Sequence, residues 1–66
     1  MPMITVDWFE GRTPQQKAQL AARITDAFVE IVGASREQVW IVFNDKKKSD
    51  WAMGGKVCDQ GGHQRP

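Results

Sequence analysis

Pro2 is the residue in this chain whose type and position could do chemistry. Removal of Met1 makes its nitrogen a free secondary amine, able to take a proton or to attack a carbonyl. With Met1 in place, the same nitrogen is an acylated tertiary amide with no N–H and no useful basicity. A small second residue permits removal of the methionine. The alternative role for Pro2 is to open an edge strand, where proline is tolerated. Other reactive types are sparse. Cys58 and His63 are the only cysteine and histidine, too few for a structural zinc site. They also lack a third group to orient them as a nucleophilic pair. Cys58 reads as a small packing residue and His63 as part of an exposed tail. Lys46, Lys47 and Lys48 form the one basic cluster and read as a solvated loop.

The elements that would position these groups follow from periodicity. Met3 to Phe9 alternates, with Ile4, Val6 and Trp8 on one face and Met3, Thr5, Asp7 and Phe9 on the other. That period predicts a strand with one face more buried than the other. Glu10-Gly11-Arg12 is the turn out of it. Thr13 is an N-cap, Pro14 suits the first helical position, and Gln16 completes a capping box. The helix is predicted from about Pro14 to Val32, with its apolar stripe on Leu20, Ile24, Ala27, Phe28 and Ile31. Ala21 and Val32 flank the stripe, and Gly33 terminates the helix. Gln38 to Asn44 is apolar on both faces, which predicts a strand covered on both sides. Asp45 to Asp50 reads as a polar loop. Gly54-Gly55 marks the turn of a short hairpin running on through Lys56-Val57-Cys58. Strand, long helix, strand is a β-α-β unit with a parallel pair and a right-handed crossover. The single domain spans residues 1–58, and 59–66 form a C-terminal tail.

A chain of 66 residues is one small domain. A domain of this size buries only about 60% of the surface its unfolded chain exposes. One cysteine rules out an internal disulfide, so oligomerisation remains as the source of stability. One helix covers one face of the sheet, and the other face is left for another subunit. Nine basic residues against eight acidic ones give no general field for nucleic acid or an anionic membrane. No apolar run approaches the ~20 residues of a membrane span, and no signal-peptide pattern is present. The lone thiol and the missing signal give the expectation of a cytoplasmic protein.

Taken together, these residues resemble the pattern of the 4-oxalocrotonate tautomerase family. The pattern is Pro2 at the head of a strand, Glu10-Gly11-Arg12, Thr13-Pro14-Gln15-Gln16-Lys17, the strand from Gln38 to Asn44, and Trp51-Ala52-Met53-Gly54-Gly55. It covers roughly residues 2–57. The resemblance implies a tautomerase/MIF-like α/β (α+β) fold, a β-α-β protomer with a short C-terminal hairpin. Such protomers pair into dimers with a four-stranded sheet, and three dimers form a homohexamer. It also implies an isomerase that moves a proton between carbon atoms of an enol or unsaturated keto acid, with no cofactor.

Carried onto this chain, the resemblance makes the Pro2 amine the general base. A free α-amine has an ordinary pKa of about 8, and an apolar pocket or a nearby cation would lower it. Trp51, Trp40, Phe9 and Met53 are the candidates for apolar walls. Arg12 takes the place of the arginine that binds a substrate carboxylate, a role that suits a bidentate fork of permanent charge. The alternative is an exposed turn arginine paired with Glu10. Trp51 takes the place of the pocket aromatic, and the backbone N–H near Phe9 helps orient the substrate. Trp40 departs from the pattern: well-characterised members carry an arginine there, contributed across a subunit boundary. With tryptophan, either the pocket prefers an aryl or alkyl keto acid, or Lys46, Lys47 or Lys48 supplies the cation. Two other readings stay open. The same fold could run hydratase, dehalogenase or iminium chemistry, or the chain could be an inactive or partner-dependent subunit.

Overall fold

The alternating run Met3–Phe9 folds as strand β1, and it pairs in parallel with β2 (Trp40–Lys46). The computed structural model describes residues 2–60. The readings of Met1 and of His63 in the tail fall outside them. The register sets Met3 beside Trp40 and Phe9 beside Lys46. Period-two alternation then sorts the side chains. Ile4, Val6, Trp8, Ile41 and Phe43 are half-buried, whereas Met3, Thr5, Trp40 and Val42 are exposed on the other face.

Helix α1 (Pro14–Val32) makes the crossover between the two strands. Its start is held by the expected reciprocal bonds: Gln16 N–H to Thr13 Oγ1 at 3.1 Å and Thr13 N–H to Gln16 Oε1 at 3.0 Å. Gly33 ends it in the left-handed region, φ 72°, and donates its N–H to the Val29 carbonyl. The apolar stripe needs one correction. Leu20, Ala21, Ile24 and Phe28 are half-buried as expected, but Ala27 is exposed and Ile31 is 80% exposed. Nineteen helical residues at 1.5 Å each run about 28 Å, against about 23 Å for a strand of seven. The helix is about one turn longer than the strands it serves, and its last turn is the one left uncovered.

The second strand also differs from the expected Gln38–Asn44. Arg36–Gln38 close a 3₁₀ turn, with the Val39 N–H bonded to the Arg36 carbonyl, so β2 starts at Trp40. It runs on through Asp45 and Lys46, which were expected in a loop, because Asp45 satisfies its carboxylate on Trp8 and Lys17. A second 3₁₀ turn, Lys48–Asp50, leads to the hairpin of β3 (Ala52–Met53) and β4 (Lys56–Val57), which turns at Gly54-Gly55. Cys58 belongs to a closing 3₁₀ turn, Cys58–Gln60, rather than to the hairpin.

Only Phe9 and Cys58 are buried among the described residues, at 5% and 3% exposure. The Phe9 ring packs on Trp51, centroids 4.4 Å apart, and Cys58 donates its N–H to the Trp51 carbonyl at 2.8 Å. The core is therefore a small knot where the C-terminal segment folds over the far end of β1. Among the described residues no helix is long and apolar enough to cross a membrane.

Candidate active site

The residues singled out in the sequence occupy the two ends of the sheet. At one end, Pro2 precedes β1, and its carbonyl accepts the Trp40 N–H at 3.0 Å. Trp40, 51% exposed, opens β2 directly beside it, and Met3, 62% exposed, is its register partner. An apolar, unpartnered surface thus borders Pro2.

At the other end, Phe9, Arg12 and Trp51 come together. The backbone turns at Gly11, φ 128°, a conformation L residues rarely adopt, and this brings Arg12 back along the strand end. Arg12 Nη1 donates to the Phe9 carbonyl at 2.9 Å, and its Cζ lies 4.8 Å from the centroid of the Trp8 ring. The suggested pairing with Glu10 does not form. Among the described residues the ion pairs are Lys17–Asp45 and Arg36–Asp26, so the guanidinium is not ion-paired and has donors beyond the one on the Phe9 carbonyl. Trp51 covers Phe9. Backbone direction follows from two bonds, Trp40 N–H to Pro2 and Glu10 N–H to Lys46. Pro2 and Glu10 turn toward β2, so the alternate residues Met3, Thr5, Asp7 and Phe9 turn their backbone groups to the free edge of β1. The Phe9 N–H is available there.

These two ends do not meet within one chain. From Pro2 to Phe9 the strand advances about 23 Å, too far for a small acid to touch both. Two surface grooves among the described residues lie elsewhere, along α1. One of about 230 Å³ is lined by Gln16, Gln19, Leu20 and Arg23, and one of about 200 Å³ by Ala27, Phe28, Ile31 and Val32. Among the described residues no three His, Cys, Asp or Glu side chains are grouped to hold a metal ion.

A family model described as "Tautomerase enzyme" matches residues 2–60. The chain belongs to the 4-oxalocrotonate tautomerase family. A probable tautomerase of Ralstonia nicotianae is 40% identical over 57 residues, 86% of this chain and 88% of that protein. A 2-hydroxymuconate tautomerase of Bacillus subtilis is 39% identical over 56 residues, 85% of this chain and 90% of that one. The crystal structure of YwhB, a homologue of 4-oxalocrotonate tautomerase, superposes with a TM-score of 0.82 at 36% identity. It covers 89% of this chain and 97% of its own. The protein is thus an isomerase of the tautomerase type, on that family's α+β fold.

Against this family background, sequence reasoning missed one group of residues. Trp8 donates its indole N–H to Asp45 Oδ1 at 2.7 Å, and Lys17 Nζ reaches Asp45 Oδ2 at 2.5 Å. These two hydrogen bonds, Lys17 first, hold the Asp45 carboxyl below its ordinary pKa of 3.8. The signal was the parity of β2. Extending the alternation by two residues puts Asp45 on the face of Phe43 and opposite Trp8.

Proposed function

We propose that this tautomerase interconverts the enol and keto forms of a 2-keto monocarboxylic acid with an aryl or apolar tail, in a homo-oligomer whose pocket is shared between copies. Removal of Met1 frees the Pro2 amine, the general base. It takes the enol hydroxyl proton as the carbonyl forms, and the resulting ammonium delivers a proton to the adjacent carbon. One O–H bond is exchanged for one C–H bond, and no cofactor enters. Arg12 of one copy binds the carboxylate through its unoccupied donors. Trp40 beside Pro2, with Phe9 and Trp51 beside Arg12, provides the apolar wall that keeps the amine neutral at working pH. A hexamer built as a trimer of dimers is the assembly proposed.

The observation that carries this reading is the split of the site: base position and Trp40 at one end of β1, Arg12 at the other. A second copy lying antiparallel against the free edge of β1 brings one chain's Arg12 end to the other chain's Pro2 end. The preference for a monocarboxylate rests on the charges at hand. Trp40, the residue bonded to Pro2 across the ladder, is uncharged, and the cation of the turn before it, Arg36, is already paired with Asp26.

The test is intact-mass spectrometry of the purified protein followed by ketonisation of enol-phenylpyruvate on the same sample. A mass lacking methionine is expected, with activity that rises through a basic group titrating below about 8 and disappears in Pro2→Ala. Retained Met1 in an active sample, or activity that survives Pro2→Ala, overturns the amine-base mechanism.

A further inference from the structure

Three residues outside the assigned site form a chain of contacts that ends on the Arg12 guanidinium. Lys17 Nζ pairs with Asp45 Oδ2 at 2.5 Å, and Asp45 Oδ1 accepts the Trp8 indole N–H at 2.7 Å. The Trp8 ring is stacked on Phe43, centroids 5.2 Å and planes 14° apart. Arg12 Cζ then sits 4.8 Å from the Trp8 centroid while Nη1 holds the Phe9 carbonyl at 2.9 Å. Phe43 sets the plane of the indole, Asp45 sets its rotation, and the π-face so fixed is where the guanidinium rests.

We infer that Trp8, held by Asp45 and Lys17, is a positioning residue that presets Arg12 for a carboxylate ligand. The inference rests on the reading of Arg12 as the carboxylate clamp. Its physical basis is threefold. An arginine on an exposed turn has many rotamers, and ordering it only when the ligand arrives weakens binding, whereas ordering it beforehand does not. Among aromatic faces, tryptophan attracts a guanidinium best. Donation of the indole N–H to an ionised carboxylate polarises the ring toward greater negative charge and strengthens that attraction. One edge of the guanidinium is engaged by the Phe9 carbonyl, which leaves the rest of the fork in a defined plane. A simpler role is available to the same residues: Lys17–Asp45 ties helix to strand and Trp8 fills the space between them, with no consequence for Arg12. The two roles separate in a double-mutant cycle.

The readouts are KM and kcat for enol-phenylpyruvate, and the Kd of 3-phenylpropionate, a saturated acid that binds without reacting, by titration calorimetry. Arg12→Ala is expected to weaken 3-phenylpropionate on the order of tenfold, as loss of a charge-assisted bond would. An unchanged Kd in Arg12→Ala overturns the clamp, and this inference with it. With the clamp established, Trp8→Leu is expected to raise KM and Kd about threefold to fivefold with kcat nearly unchanged, because the carboxylate is bound equally in ground and transition states. In the Arg12→Ala background the same Trp8→Leu change is expected to do nothing. An equal weakening in both backgrounds, or none in either, overturns the positioning role while leaving the clamp intact. Should Trp8→Leu fail to fold, Trp8→Phe keeps a ring on Phe43 but loses the N–H to Asp45. It is expected to weaken 3-phenylpropionate about twofold only where Arg12 is present. Equal affinity in Trp8→Phe and the parent chain then decides against the proposal.

Discussion

At the level of single residues, the substrate preference proposed above turns on Trp40. It lies one hydrogen bond from Pro2 across the ladder, half-exposed, at the position where the family resemblance leads one to expect an arginine. An indole offers one donor and an apolar face, so it favours a substrate whose far end is itself apolar. Trp40→Arg should therefore reverse the preference. A 2-hydroxymuconate-type diacid should gain about tenfold or more in kcat/KM, the worth of one charge-assisted hydrogen bond, while enol-phenylpyruvate declines. Steady-state kinetics on both acids check this, and a variant that improves neither removes Trp40 from the pocket. Pro2, Arg12, Phe9, Trp40 and Trp51 were all legible as candidates because residue type and local motif announce them. Their division between two ends of a strand was not, since motif spacing does not carry distance through space. Trp8 escaped notice for another reason: on a half-buried face an aromatic reads as packing, and nothing local reveals that an arginine four residues later will fold back over it.

Among the elements, α1 was readable to the residue because its signals are local: Thr13, Pro14 and Gln16 at one end and Gly33 at the other. Thr13→Ala removes the acceptor for the Gln16 N–H and should cost about 1 kcal/mol, measured by denaturant melting of the assembled protein. The ends of β2 were not readable, because they are set by tertiary partners. The Arg36–Gln38 turn delays its start, and the Trp8 and Lys17 bonds to Asp45 hold it in the sheet for two residues beyond the apolar run. Those bonds also define a pH dependence. The Asp45 carboxyl is held below 3.8, so the unfolded chain takes up the proton first as pH falls. The stabilisation is complete above about pH 5, declines as pH drops through 3.8, and is lost below the folded-state value. Asp45→Asn should flatten the fall in melting temperature between pH 5 and 3 relative to the parent chain. Parallel curves for the two proteins would show that the strand does not depend on the Asp45 charge.

For the molecule as a whole, a single chain is a slab of 43 × 23 × 14 Å with a radius of gyration of 15.1 Å. A compact domain of this length has about 11 Å. The two side chains buried among the described residues lie at one end of this shape and form too small a core to support it alone, and the exposed apolar residues Met3, Trp40 and Val42 lie together on the sheet face away from α1. The expectation of an oligomer was drawn from the sequence by elimination: no internal disulfide, too few ligands for a structural zinc site, one helix for two faces. The separation of Pro2 from Arg12 along β1 adds an independent reason, since the proposed base and clamp would meet only across copies. Stability and activity should therefore fail together when that face is spoiled. Val42 is 38% exposed in the single chain, where a glutamate would be nearly harmless if the face stayed in water. Under a second copy the same glutamate buries an unpaired charge, which protein interfaces tolerate poorly. Val42→Glu is expected to shift the protein to smaller species in sedimentation velocity, to make its melting temperature depend more steeply on concentration, and to abolish ketonisation although Pro2 and Arg12 are untouched. An assembly and activity unchanged by Val42→Glu would mean that this face stays in water, and the copies would then have to meet along the free edge of β1 alone.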